Sequence, residues 1–434
     1  MNRNTLLTII GEWLEEGEIP ALVPREHPLG DPRELKHILA IVGPRRAGKT
    51  YFMFQLIRLL LEKGGFSKKD ILFIDFEDYR LGDFTADSME ELLAAFHQLA
   101  GQYPRYLFFD EVQNLPRWNS VLRTLHNRRR FKIVVSGSNS SLLGREVATE
   151  LRGRYEDLLM LPFSFREYLV CRGVSYTPTL LHTAASGTIV AAFDDYVAHG
   201  GFPEVVMARN EGERRRLLQD YFKTIFYRDV LDRYNIKARY VLDGLMNEFL
   251  ETYSCIFSIS RFERHLKSNG MPGSKRTIAN YAAYLREAFF IIANEKFSFS
   301  ARRRIMSPKK IYLTDTGFAA LGHPFSENRG RILENLVAIE LSRRGADVYY
   351  FKNDHECDFV VKQGSGPRRA IQVCWELTRR NEERELAGLA EACRSLRLDS
   401  GLILTYAQEE EREMDGLGVS VLPVWKWLVG DAGT

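Results

Sequence analysis

GPRRAGKT, Gly43 to Thr50, is the stretch on which the reading of this chain turns. It follows an apolar run, HILAIVG (37–43), and precedes a segment of helical periodicity, 50–63. Lacking a Cβ, Gly43 and Gly48 let the backbone curl until its N–H groups, with the positive end of the next helix, face a phosphate. Lys49 then reaches the β and γ phosphates of ATP, and the Thr50 hydroxyl suits Mg²⁺. Pro44, Arg45, Arg46 and Ala47 complete the loop around the nucleotide. The two arginines hold variable positions, where a solvated side chain is the simplest expectation.

A glycine-bearing strand-to-helix turn would look the same in isolation, so the neighbouring segments matter. YLFFDEV (106–112) buries an apolar strand and delivers Asp110 and Glu111 at its C-terminal end, where open parallel sheets bind ligands. Asp110 is the expected Mg²⁺ carboxylate and Glu111 the expected general base for the attacking water. A further strand ends in VVSGSNSS; Ser136, Ser138 and Asn139 lie there, with Ser138 and Asn139 the favoured contacts for the γ-phosphate or water. LRGRYEDL then offers Arg152 and Arg154, the latter a candidate catalytic cation for this site or a neighbour's; a surface salt bridge is the competing reading.

Composition bounds the rest. A chain of 434 residues is too long for one core, and 45% hydrophobic with 27% charged residues describes a folded globular protein. Net charge is only +3, so a polyanion site requires local clustering of Lys and Arg. Cys171, Cys255, Cys357, Cys374 and Cys393 show no zinc spacing and suit a reducing cytoplasm. The acidic residues in MNRNTLLTIIGEWLEEGEIP interrupt any signal-peptide core, and no run approaches eighteen apolar residues, so a cytoplasmic chain with no membrane partner is expected.

Strands at 37–43, 71–77, 105–111 and 131–137 alternate with helices, predicting an α/β parallel-sheet domain over 1–160, after an amphipathic lead-in helix at 5–15. A helical segment over 161–255 includes a loop-like 173–188, the turn Gly200-Gly201-Phe202-Pro203 and a helix near 211–233. Residues 256–325 follow the helix, turn, helix, two-strand order of a winged helix-turn-helix, and 326–434 form a second α/β pattern.

Taken together, GPRRAGKT, FFDEVQ, SGSNSSLL, GRYEDLLMLPFSFREYL and GGFPEV resemble the AAA-superfamily ATPases of archaea and bacteria that carry a C-terminal domain of unknown function. The resemblance covers nearly the whole chain. It implies a P-loop NTPase core of the additional-strand type, a helical segment, a winged helix and a degenerate restriction-endonuclease-like end.

Two further sites are expected. Lys275 and Arg276 open the second helix of the winged segment, and Arg302, Arg303, Arg304, Lys309 and Lys310 flank it, together a basic patch suited to a DNA backbone. The competing reading is a protein-binding or homo-oligomerising module. Glu334, Asp358 and Gln372 resemble the metal side of a PD-(D/E)xK nuclease, but Cys374 stands where its lysine belongs. Unless Lys352 or Lys362 takes that role, a relic without nuclease activity is expected.

Overall fold

The apolar runs fold as strands because they can be buried on both faces, and the helices between them cover those faces. The computed structural model describes residues 2–27, 29, 31–139, 154–177, 179–183, 186–322, 329–364 and 366–430. These fall into two units, Met1–Met160 and Leu161–Thr434.

In the first unit β1 (Ile38–Val42), β2 (Ile71–Asp75), β3 (Tyr106–Asp110), β4 (Lys132–Gly137) and β5 (Tyr155–Leu159) form one sheet of order β2-β3-β4-β1-β5. All neighbouring pairs are parallel. β4 lies between β1, which feeds the glycine loop, and β3, which ends in Asp110: this is the additional strand of the expected P-loop NTPase core. β5 (YEDLL) is only partly buried, so no apolar run announced it. α1 (Arg3–Gly11) continues through a wider turn over Glu12–Glu16 and buries Leu6, Ile9, Ile10 and Trp13. The Trp13 indole N–H donates to Ile71 O at 2.6 Å, fastening the lead-in to β2. α2 (Lys49–Lys63), α3 (Ser88–Ala100) and α4 (Trp118–Asn127) follow in turn.

The second unit opens with α5 (Phe165–Cys171), started by a reciprocal cap: Ser164 Oγ accepts from Glu167 N at 3.1 Å, and Glu167 Oε2 accepts from Ser164 N at 2.8 Å. α6 (Ser186–His199) begins inside the stretch expected to be loop, and α7 (Pro203–Met207) and α8 (Glu211–Thr224) follow. Between α6 and α7 the chain turns at Gly200, whose φ is +77°. A Cβ there would stand 1.7 Å from Asp315 Oδ1, and one on Gly201 2.3 Å from Phe163 O. Gly201 N also donates to Asp315 Oδ2 at 2.8 Å. The GGFP turn is therefore a close approach of three distant segments that no larger residue permits.

Next come α9 (Arg239–Thr252), β6 (Cys255–Phe257), α10 (Ile259–Ser268), α11 (Lys275–Glu287), β7 (Ile291–Lys296), α12 (Ala301–Met306) and β8 (Lys309–Leu313). The three longer helices share a core with Leu245, Phe249, Phe262, Leu266, Ile278 and Leu285. α13 (Arg329–Arg343), β9 (Asp347–Lys352), β10 (Glu356–Gln363), β11 (Gly366–Val373), α14 (Glu382–Leu396), β12 (Ser400–Thr405), β13 (Glu410–Met414), β14 (Leu417–Pro423) and α15 (Val424–Val429) complete the chain. β7 pairs parallel with β9, Glu295 opposite Tyr349 and Lys296 opposite Tyr350. One sheet of nine strands thus runs β13-β14-β12-β11-β10-β9-β7-β8-β6, through both C-terminal segments.

Candidate nucleotide site

β1 ends at Val42, and the loop that follows leads into α2 through Gly48, at φ +92°. The first N–H groups of a helix have no partner inside it, so the start of α2 presents donors and a positive dipole end toward the loop. A Cβ on Gly43 would lie 2.0 Å from Met160 O, so only glycine lets the loop pass β5's end. Lys49 is 5% exposed; its Nζ donates to Gly43 O at 3.2 Å and Pro44 O at 3.1 Å and stands 3.6 Å from Glu111 Oε1. Thr50 Oγ1 donates to Asp110 Oδ2 at 2.6 Å.

β3 delivers Asp110 and Glu111 beside that loop. Burial pushes the Asp110 carboxyl up, against hydrogen bonds from Ser136 and Thr50. Burial also pushes Glu111 up, but the Lys49 ammonium, helped by Gln113, outweighs it and holds this carboxyl below the usual range. Glu111 is therefore ionised at neutral pH, as a base must be. Its backbone takes the left-handed conformation, φ 46°, costly for a residue with a Cβ and held by Glu111 N donating to Ser136 Oγ at 3.0 Å. A buried carboxylate touching a hydroxyl is an all-oxygen set that suits a hard cation such as Mg²⁺.

The remaining expected residues divide. Ser138 and Asn139 are buried at the end of β4, and Gln113 Nε2 reaches Ser138 Oγ at 3.4 Å. Ser136, the serine less favoured from sequence, is the one hydrogen-bonded to Asp110. Arg45 is not simply solvated: its Nη1 pairs with Glu77 Oε1 at 2.6 Å, whereas Arg46 is exposed. Arg154 requires a correction as a cation for its own site. Its carbonyl accepts from Ile38 N at 2.8 Å and Tyr155 is in register with Ile38, so it marks the start of β1. That is a strand length, roughly 13 Å, from the end that carries the loop. Arg152 lies outside the described residues.

Sequence reading missed Arg25. Only 7% exposed, it donates from Nη1 to Ala47 O at 2.6 Å, and its backbone N–H donates to Gln55 Oε1 at 2.8 Å, bracing the loop against α2. An arginine in an irregular lead-in carries no pattern that announces this.

In the second unit Lys275, Arg276, Arg302 and Arg303 are exposed. Arg304 is half-buried and donates to Ser298 O at 2.6 Å, and Lys309 pairs with Glu295 at 3.0 Å. Lys310 must be withdrawn from the DNA-facing group: it is 2% exposed and paired with Glu334, Glu356 and Asp358. The nuclease-like residues do converge, since Asp358 N donates to Gln372 Oε1 at 3.2 Å and Asp358 shares Lys310 with Glu334. Of the lysines considered for that site, Lys352 reaches only its outer edge, pairing half exposed with Glu356 at 3.1 Å, and Lys362 lies instead 3.8 Å from Asp347. No helix among the described residues is long and apolar enough to cross a membrane.

Residues 35–169 match an AAA domain, 190–326 a domain of unknown function (DUF8612) and 329–427 another (DUF4143). The chain is 34% identical over 401 residues to uncharacterized protein MJ1544 of Methanocaldococcus jannaschii, covering 90% of this chain and 88% of that one. An uncharacterized protein of Haemophilus influenzae is 27% identical over 417 residues, 94% of this chain and 99% of its own. Among solved structures, a Walker-type ATPase of Pyrococcus abyssi aligns at TM-score 0.39 and 13% identity over 67% of this chain and 92% of its own. Cdc6p of Pyrobaculum aerophilum aligns at 0.27 and 13%, over 77% and 93%. With its loop, its additional strand and a match to a relative over 90% of its length, the chain belongs to the AAA-superfamily P-loop ATPase family whose members carry a C-terminal domain of unknown function.

Proposed function

We propose that the chain is a Mg²⁺-dependent ATPase, cytoplasmic, whose nucleotide state switches a DNA-contacting surface on its second unit. The observation that carries the ATPase part is the Thr50 hydroxyl donating to Asp110 at 2.6 Å with Lys49 and Glu111 alongside. In this reading Thr50 and Asp110 hold the metal, which when bound neutralises charge on the β and γ phosphate oxygens. Lys49 and the loop amides of Gly43 to Thr50 hold the triphosphate. Glu111 takes the proton of the attacking water as its oxygen bonds to the γ phosphorus, and the bond from that phosphorus to ADP breaks. Ser138 and Asn139 orient the water or the γ-phosphate.

Support for the DNA part comes from exposed Lys275 and Arg276 in the first turn of α11, with Arg302 and Arg303 between β7 and β8. The order α9-β6-α10-α11-β7-α12-β8 suits a winged helix, a motif that presents such a helix start and hairpin to a duplex. A second reading, a nucleotide switch for a protein partner or another copy of the chain, is favoured by Phe299, Ile305 and Met306. These are 80%, 70% and 77% exposed beside the same arginines, where a purely electrostatic surface has no use for them.

Phosphate release by the purified chain, with and without duplex DNA, tests both parts. Release that stops in Glu111→Gln, and DNA binding that weakens steeply with salt, are expected. Unchanged release in that variant overturns the assignment of the base. Failure to bind duplex at low salt turns the reading toward a protein partner.

A further inference from the structure

The C-terminal layer resembles the frame of a metal-dependent nuclease, yet the groups that would hold the metal are otherwise engaged. Lys310 Nζ lies 2.7 Å from Glu334 Oε1, 2.9 Å from Glu356 Oε1 and 2.8 Å from Asp358 Oδ1. An ammonium has three N–H donors, and here each meets a carboxyl oxygen. Asp358 Oδ2 accepts from Val373 N at 3.0 Å, and Glu334 Oε1 also accepts from Tyr312 OH at 2.8 Å. Gln372 spends its carbonyl on Asp358 N and its amide on Glu385 Oε2 at 2.6 Å. A divalent cation would need the oxygens that enclose Nζ, at roughly 2.0–2.6 Å from each, and a packed interior does not hold both ions in one volume. Burial pulls the lysine pKa down, but its acidic neighbours, Asp358 foremost, outweigh it and keep the ammonium charged.

The lysine also comes from an unexpected place. It belongs to β8, in the hairpin that carries the basic triplet, while its partners lie on α13 and β10. The tie reinforces the β7–β9 pairing that joins the hairpin to the C-terminal strands.

We propose that Lys310 is a resident cation: its ammonium takes the place a divalent metal would hold among Glu334, Glu356 and Asp358. The native chain then binds no metal there and cleaves no nucleic acid, and the carboxylates serve to anchor β8. This is independent of the ATPase reading, because it concerns neither Asp110 nor the glycine loop.

Mn²⁺ binding, followed by electron paramagnetic resonance on the full chain without nucleotide, tests it. Native protein, Asp358→Asn and Glu356→Gln should take up the same amount of Mn²⁺, since any ion at Thr50 and Asp110 is common to all three. Lys310→Met should gain a further Mn²⁺ site and an upward shift in melting temperature with Mn²⁺, both lost when Asp358→Asn is added. A native Mn²⁺ site that disappears in Asp358→Asn or Glu356→Gln overturns the proposal, as does Mg²⁺-dependent plasmid cleavage lost in either. So does a folded Lys310→Met that gains no ion. The comparison of native protein with the two carboxylate variants decides the matter even if the lysine variant fails to fold.

Discussion

Lys49 Nζ and Glu111 Oε1 stand 3.6 Å apart with the lysine only 5% exposed, so the cation and the carboxylate proposed to hold the phosphate and to act as base form one electrostatic pair. The ammonium keeps the carboxylate ionised despite its burial.

Replacing either member should therefore give a different defect. Removing one side of a buried charged contact costs about 2–5 kcal/mol, so Lys49→Ala should weaken ATP binding by ~30-fold or more, measured by calorimetry. Glu111→Gln should bind ATP nearly as well and lose turnover by ~10²–10⁴. Equal loss of binding in both variants would contradict the division of roles.

Arg25 touches the loop from behind. Arg25→Met removes its hydrogen bond to Ala47 O, a charged bond worth about 1.5–3 kcal/mol. The expected result is a KM for ATP raised ~10-fold with kcat little changed, and an unaltered circular dichroism spectrum. A kcat that falls while KM holds would place Arg25 elsewhere in the cycle.

At the GGFP turn a methyl group has nowhere to go. Gly201→Ala would press on the Phe163 carbonyl, and forcing extra carbon into a packed site costs about 1–3 kcal/mol. A lowered melting temperature for the second unit is expected, without loss of ATP affinity. An unchanged melting curve would mean that this turn yields more easily than its contacts suggest.

Glu334 makes stability depend on pH. Burial, with Asp358 nearby, raises its carboxyl from 4.5 to about 8. Because the folded chain holds that proton more tightly than the unfolded one, the stability it contributes is full below its unfolded value. It is lost as pH rises toward about 8. Melting temperatures between about pH 5 and 8 should fall more steeply in native protein than in Glu334→Gln. Parallel curves would sink this assignment.

What could be read from residues alone followed from how completely each element is buried. β1 to β4 were legible because strands covered on both faces are continuous apolar runs, and the glycine loop because its chemistry fixes spacing. β5 was not, since YEDLL lines an edge and only part of it is covered. The position of Arg154 was open for the same reason: without β5's register nothing says which end of the sheet it marks. The two lysines at 309 and 310 look alike in sequence, yet successive residues of a strand point to opposite faces. One therefore meets Glu295 at the surface and the other a buried set of carboxylates, a distinction that required the strand's neighbours.

The β7–β9 pairing also has a consequence for how this gene product tolerates shortening. Family boundaries near residues 326 and 329 suggest a natural place to cut, but the hydrogen-bonded ladder crosses that line. A chain stopped there would bare one flank of β7 to any passing strand and leave Lys310 without its three acidic partners. Self-association is the expected fate of such a fragment, so these two segments are expected to fold as one piece.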